Sequence, residues 1–320
     1  MKYNYTGHSG LQLPAISLGL WHNFGSVDPY DRAEAMILDA FDKGITHFDL
    51  ANNYGPEPGS AETNFGNILK TQLAAHRDEM IISSKAGHDM WPGPYGDGSS
   101  RKNLMASIDQ SLRRMQLDYV DIFYSHRYDG VTPVEETMQA LIDIVHQGKA
   151  LYVGISKYPI ELQQRCYDIL RDAHVPCLIS QYRASMYDQT SLRDNLPVAR
   201  ANGSGFIAFS PLAQGLLTPR YFNGIPDDSR AAHSWGFLKA SMVTDDIVAT
   251  SRQLAVIAER RGQTLPQMAL SWLLNHDGMT SVIVGASSVQ QLDNNILAAA
   301  APAFSDEELN EINTLISRFA

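Results

Sequence analysis

Val120-Asp121-Ile122-Phe123-Tyr124, a helical stretch at 133–146, Ala150-Leu151-Tyr152-Val153-Gly154-Ile155 and a second helical stretch at 159–172 make two consecutive strand–helix units. The same alternation continues in both directions. Upstream, 16–20 precedes 30–43, 45–48 precedes 60–74, and 80–84 precedes 102–115. Downstream, 177–180 precedes 191–201, and 281–284 precedes 289–299. Between them, 205–209 is followed by a long loop and by helical stretches at 245–260 and 266–275, which brings the count to eight units. Short apolar runs without polar alternation suit parallel strands buried on both faces. Eight of them predict a closed (β/α)8 TIM barrel in the α/β class. Two pieces fall outside the repeat. Residues 2–6 and 11–13, joined by Gly7-His8-Ser9-Gly10, predict an N-terminal β-hairpin that would plug the barrel floor. Ser305-Asp306-Glu307-Glu308 has the pattern of a capping box and opens a C-terminal helix over 305–319.

The competing fold is a doubly wound sheet, which usually declares a nucleotide site by G-x-G-x-x-G after its first strand. No such motif exists here, and there is no Walker A sequence, no H-E-x-x-H and no G-x-S-x-G. All 320 residues read as a single domain, a length common for one barrel. A 44% hydrophobic and 19% charged composition supports a large core rather than disorder. The formal charge of −10 argues against a nucleic-acid partner, while leaving room for a local anion pocket at helix ends or a few arginines. Cys166 and Cys177 form neither a disulfide framework nor a zinc pattern. With no signal-peptide pattern and no apolar run of ~20 residues, the expectation is a soluble cytoplasmic protein with no membrane partner.

In a barrel of this kind the chemistry sits where strands end. The second run ends in Phe48-Asp49, with Tyr54 five residues on; the third ends in Ser83-Ser84-Lys85; the fourth ends in Tyr124-Ser125-His126. Singly, each has an ordinary reading: Asp49 as a turn cap, Lys85 as a snorkelling side chain, His126 as a bonded structural histidine, Tyr54 as loop packing. Jointly, they put an acid, a base, an imidazole and a phenol on one rim. A phenol titrates near 10, and an adjacent ammonium is expected to lower that value. Asp49 would hold Lys85 charged, and His126 would hydrogen-bond a substrate oxygen. The set suits proton delivery to a carbonyl oxygen while a hydride reaches its carbon, and only a nicotinamide would supply the hydride.

The stretch Gly44-Ile45-Thr46-His47-Phe48-Asp49-Leu50-Ala51-Asn52-Asn53-Tyr54-Gly55 resembles the aldo-keto reductase signature. Residues 86–96, 119–127 and 209–218 narrow the likeness to the branch that includes bacterial L-glyceraldehyde 3-phosphate reductases and potassium-channel β subunits. The resemblance implies Tyr54 as general acid, tuned by Lys85 and Asp49, with His126 orienting the carbonyl. It implies NADPH as cofactor, with Trp21 and Asp49 near the nicotinamide, Ser156 and Gln181 on the carboxamide and Phe209 stacked on the ring. Ser210, Leu212 and Gln214 would line the pyrophosphate path, with Arg220 and Arg230 near the phosphates. Gly285, Ser287, Gln291 and Asn295 would hold the adenosine-phosphate end. From spacing alone, Phe209 reads as core and the loop arginines as surface charges.

The implied activity is reduction of a small aldehyde or ketone, with L-glyceraldehyde 3-phosphate or methylglyoxal as candidates. Trp21, Tyr54, Trp91, His126 and Arg127 would wall the pocket, and Arg127 or Arg101-Lys102 would meet a substrate phosphate. The rival readings are a redox-sensing NADPH-binding regulatory subunit and a metal hydrolase or isomerase. The channel subunits usually carry Asn where His126 stands, which favours an enzyme. Relatives form tetramers or octamers, so a homo-oligomer is expected. The chain departs from the family pattern at Ala184 and Ser185, where Tyr-Asn is usual, at Lys157, and over 231–240.

Overall fold

The computed structural model describes residues 1–233 and 237–319. Two short strands, β1 (Tyr3–Tyr5) and β2 (Gln12–Pro14), pair antiparallel with Asn4 opposite Leu13. The barrel strands follow: β3 (Ile16–Gly19), β4 (His47–Asp49), β5 (Ile81–Ala86), β6 (Val120–Ser125), β7 (Ala150–Ser156), β8 (Cys177–Arg183), β9 (Gly205–Phe209) and β10 (Met279–Val284). They close in chain order, all pairs parallel, with β10 returning to β3. This is the (β/α)8 TIM barrel expected from the sequence.

Every residue of β3, β4, β6 and β10 is buried, as the continuous apolar runs require. The interior is packed rather than hollow. Leu13, Ile122, Tyr124, Leu178, Ile179, Ile207 and Ile283 form one cluster, so a hairpin residue joins side chains from inside the barrel. Asn4 Nδ2 donates to the Thr280 carbonyl at 2.8 Å, and His8 N donates to the Gly203 carbonyl at 2.9 Å. The hairpin thus closes the floor, at the ends where β9 and β10 begin. Gly154 is obligatory for a different reason: a Cβ there would lie 2.5 Å from the Tyr124 ring and 2.7 Å from the Ile179 carbonyl. The flat residue lets the tyrosine occupy the barrel axis.

Around the sheet run α1 (Tyr30–Asp42), α2 (Ser60–Ile68), α3 (Arg101–Met115), α4 (Val134–His146), α5 (Ile160–Asp172), α6 (Thr190–Arg193), α7 (Asn195–Ala201), α8 (Asp245–Arg260), α9 (Leu265–Leu274), α10 (Val289–Ile296) and α11 (Asp306–Ile316). Side-chain caps start several of them. Ser100 accepts from Asn103 N, Thr244 from Ile247 N and Ser288 from Gln291 N. Thr264/Gln267 and Ser305/Glu308 are full capping boxes, the second as the sequence predicts. Each such cap contributes about 0.5–2 kcal/mol.

Two helical stretches differ from expectation. The one over 191–201 is broken at Asp194, because Pro197 has no N–H and its ring crowds the carbonyl four residues back. The one over 60–74 stays α-helical only to Ile68 and continues as a π turn at Leu69–Leu73 and a 3-10 turn at Ala74–Glu79. Among the described residues no helix is long and apolar enough to cross a membrane.

Candidate active site

Strands β5, β6 and β8 run further than the apolar runs alone indicate, to Ala86, Ser125 and Arg183. Lys85, expected at the end of its strand, and Gln181 are strand residues with fixed backbones. Side chains two apart on a strand share a face. That rule aims His47 and Asp49, and Ser83 and Lys85, into the barrel together.

The four residues of the expected acid–base set do converge. Lys85 Nζ donates to Asp49 Oδ2 at 2.7 Å and to the Leu50 carbonyl at 2.6 Å, and both side chains are essentially excluded from solvent. The ammonium stands 4.9 Å from the Tyr54 ring centre and 5.7 Å from that of Tyr124. The His126 ring meets Tyr54 edge-on at 5.9 Å, and Trp21 stacks on Tyr54 at 6.0 Å. Asp49 Oδ1 accepts from Ser83 Oγ at 2.8 Å and from Gln181 Nε2 at 3.1 Å. In the strand order β4 and β8 lie on opposite sides of the barrel, so this last bond spans it.

The electrostatics correct one expectation. Lys85 does not bring the Tyr54 phenol below its ordinary value. Burial, then the Asp49 charge, pushes it well above. The physical reason is that burial of the phenol, reinforced by the Asp49 charge, outweighs what the Lys85 ammonium contributes. Tyr54 is thereby held protonated. Burial also takes His126 well below the ordinary imidazole range, helped by Lys157 and Lys85, so it is neutral. Its Nδ1 is buried without a protein partner.

Beneath this set runs a polar chain that the sequence analysis did not find. Ser281 Oγ lies 2.7 Å from Ser17 Oγ, and His47 bridges Ser17 Oγ at 2.8 Å and Ser83 Oγ at 3.0 Å. Because Ser83 spends its proton on Asp49, it must accept from His47 Nε2–H. His47 Nδ1 must then accept from Ser17. The direction is fixed from Ser17 to Asp49, while the Ser281 hydroxyl also has the Ala15 carbonyl within reach at 3.3 Å. Burial drives the His47 pKa down to about 4, consistent with a neutral ring. Alternation along β4 and β5 was the available signal: His47 precedes Asp49, and Ser83 precedes Lys85, by two residues.

Apart from Trp21, just after β3, and Asp49, on β4, the expected cofactor residues fall on the β7–β10 arc and the segments that follow its strands, next to the acid–base arc of β4–β6. Ser156 and Gln181 are register partners on β7 and β8, and Ser156 Oγ is buried without a partner. Phe209 ends β9, half-buried. After it, Ser210 and Gln214 take left-handed φ values of 55° and 60°, and Gln214 Nε2 donates to Ser210 Oγ at 3.1 Å. Leu212 lies between them, half-buried. Arg230 Nη1 donates to Gln214 Oε1 at 2.9 Å, whereas Arg220 pairs with Asp228 at 3.0 Å. Past β10, a Cβ on Gly285 would meet nothing within 4 Å. Gln291 Oε1 accepts from Ser287 N at 2.8 Å, and buried Asn295 Nδ2 has no partner. Asn23 Nδ2 donates to the Ala286 carbonyl at 2.9 Å, joining the Trp21 loop to this segment.

The substrate-side residues divide. Trp21 packs on Tyr54 and on Phe237. Trp91 lies on the 88–100 loop and makes no ring contact with Trp21, Tyr54 or His126 among the described residues. Arg127 is tied down: Nε donates to the Gly87 carbonyl at 2.8 Å and Nη2 to Asp97 at 2.7 Å. Arg101 pairs with Asp143, and Lys102 sits over the Tyr95 ring. Of the 231–240 segment, Ser234, Trp235 and Gly236 lie outside the described residues. Among the described residues no group of His, Cys, Asp and Glu could hold a metal ion.

A parallel barrel with an ion-paired lysine, a protonated phenol and a neutral imidazole on one rim defines a class, and comparison with known proteins agrees. The Aldo/keto reductase family model matches residues 15–317, and the chain belongs to that family. It is an oxidoreductase. The chain is 54% identical over 324 residues to an L-glyceraldehyde 3-phosphate reductase of Escherichia coli K12, an alignment covering 99% of this chain and 93% of the relative. The protein of the same name from Escherichia coli O157:H7 matches to the same extent.

Proposed function

We propose that the protein is a cytoplasmic NADPH-dependent reductase of small aldehydes, with L-glyceraldehyde 3-phosphate as its preferred substrate. One observation carries the reading: the buried Asp49–Lys85 pair stands beneath a protonated Tyr54 whose ring His126 meets edge-on.

The residues present fit the cofactor. Ser156 Oγ and Asn295 Nδ2 are buried polar atoms awaiting partners, at the two ends of the β7–β10 arc. Ser156 and Gln181 would hold a carboxamide, Phe209 would cover the ring, and Ser210, Leu212 and Gln214 would follow the pyrophosphate. Arg220, Arg230, Gly285, Ser287 and Gln291 would meet the phosphates of the adenosine end. When bound, NADPH supplies the hydride.

The protein's own residues do the rest. Neutral His126 donates an N–H to the carbonyl oxygen and polarises it. Tyr54 gives its proton to that oxygen as negative charge develops there. Lys85 favours the phenolate left behind, and Asp49 keeps Lys85 ionised and aimed. Ser83 and Gln181 hold Asp49 in turn. Trp21 excludes water from the Tyr54 face.

Purified protein is expected to consume NADPH with L-glyceraldehyde 3-phosphate. Tyr54→Phe should lower kcat by about 10²–10⁴-fold, with little change in cofactor affinity. Tight NADPH binding without turnover on a broad aldehyde panel would point instead to a regulatory subunit and defeat this reading.

A further inference from the structure

Lys157 follows Ser156 at the end of β7 and holds φ at 55°, a left-handed value unusual for any residue but glycine. A strained backbone persists only where surrounding structure enforces it, and such residues cluster at ligand sites. The side chain reaches the loop after β5, where Nζ donates to His88 Nε2 at 2.8 Å. The His88 ring in turn meets the His126 ring edge-on at 4.5 Å. The ammonium therefore stands one imidazole away from the group that polarises the carbonyl.

Its charge is uncompensated. Each neighbouring cation on this rim has its own carboxylate: Lys85 has Asp49 at 2.7 Å, Arg127 has Asp97 at 2.7 Å and Arg183 has Asp188 at 2.9 Å. Among the described residues Lys157 forms no ion pair, and His88 is a neutral acceptor that cannot offset it. Lys157 is exposed as a residue, but lost hydration at its ammonium and repulsion from Lys85, Arg127 and Arg183 bring its pKa down to about 8. In a chain of net charge −10, this is a local excess of positive charge at the pocket mouth. An anion placed there would relieve the repulsion and gain charge-assisted hydrogen bonds. A triose phosphate carries its phosphate on the second carbon beyond the aldehyde carbon, which matches an ammonium one ring beyond His126.

We propose that Lys157, held by His88, is the specificity-determining residue that reads the phosphate of a phosphorylated aldehyde. The assignment rests on the carbonyl-reductase reading for which group sits against His126, and replaces Arg127 and Arg101-Lys102 as the phosphate contact.

The test compares L-glyceraldehyde 3-phosphate with glyceraldehyde as substrates for the wild type, Lys157→Met and Lys157→Arg. In Lys157→Met the ratio of the two kcat/KM values should fall about 10- to 100-fold, the worth of a hydrogen bond to a charged group. The loss should sit in KM for the phosphorylated substrate, and Lys157→Arg should restore most of the ratio. Calorimetric binding of glycerol 3-phosphate to the cofactor-free protein should weaken in parallel. An unchanged ratio in Lys157→Met overturns the assignment and leaves the reductase reading standing. No turnover of either aldehyde, with glycerol 3-phosphate binding that still depends on Lys157, defeats the reductase reading and leaves the anion site.

Discussion

Tyr54 and Lys157 are both taken away from their ordinary titration ranges, in opposite directions and for related reasons. Burial raises the phenol, while Lys157, an exposed residue, is brought down by lost hydration at its ammonium and by repulsion from Lys85, Arg127 and Arg183. Tyr54 stays protonated through neutral pH, so proton supply should not limit reduction there. Lys157 is different, since it loses its charge near pH 8. The groups facing it are Lys85, Arg127, Arg183, His88 and His126. The preference for a phosphorylated over an unphosphorylated aldehyde should therefore rise through about pH 6, as the phosphate takes its second charge. It should fall again above about 8. Tyr54 and Lys85 act on both substrates, so their titration cancels in the ratio. A pH profile of the ratio that stays flat above 8 would show that Lys157 does not read the phosphate.

At the scale of elements, the sheet and the helices around it meet through buried polar contacts as well as apolar packing. Glu62 on α2 is fully buried, accepts from Ser84 Oγ on β5 at 2.6 Å and pairs with Arg114 of α3 at 2.7 Å. Glu62→Ala removes the centre of that contact and strands both donors. It should cost about 3–5 kcal/mol in urea unfolding, while a loss under 1 kcal/mol would mean the pair is dispensable. Elements were also where the sequence was most readable. Strands buried on both faces leave unbroken apolar runs, and α11 announces itself by Ser305 and Glu308. Strand ends were readable in part: Lys85 is expected at the end of its strand, but β8 runs past Gln181 to Arg183 with polar residues that hydropathy assigns to loops. The polar chain under the site was hidden for the same reason. His47 and Ser83 look unremarkable until the period of two is applied backwards from Asp49 and Lys85. Lys157 gives no local sign of its left-handed backbone.

At the scale of the whole molecule, the fold keeps several imidazoles neutral, His47 inside the barrel and His22 and His88 half-buried on the loops after β3 and β5. His47 is brought to about 4 from an ordinary 6.5 by burial, and His22 and His88 likewise, with Arg230 and Lys157 adding repulsion respectively. Groups whose folded pKa is depressed stabilise the fold above their unfolded value and lose that contribution as pH falls toward the folded one. Stability should therefore drop between pH 6.5 and about 4, with proton uptake on unfolding. His47→Gln should flatten this acid limb by about one proton in urea unfolding measured across that range, and an unaltered slope would show that His47 is protonated in the fold. The barrel also explains why global charge was a poor guide to the site. A charge of −10 is spread over the outside, while the mouth is set by a few residues at strand ends.

The hairpin that closes the floor has a practical consequence. Tyr3 Oη donates to the Gly44 carbonyl at 2.9 Å and Asn4 is anchored on Thr280, so the first residues are fastened at the end of the barrel opposite the mouth. A linker attached ahead of Tyr3 would point its cargo away from the reacting centre. Protein coupled to a bead or electrode through that end would turn its mouth outward to the bulk solution, an orientation suited to an immobilised catalyst or sensor.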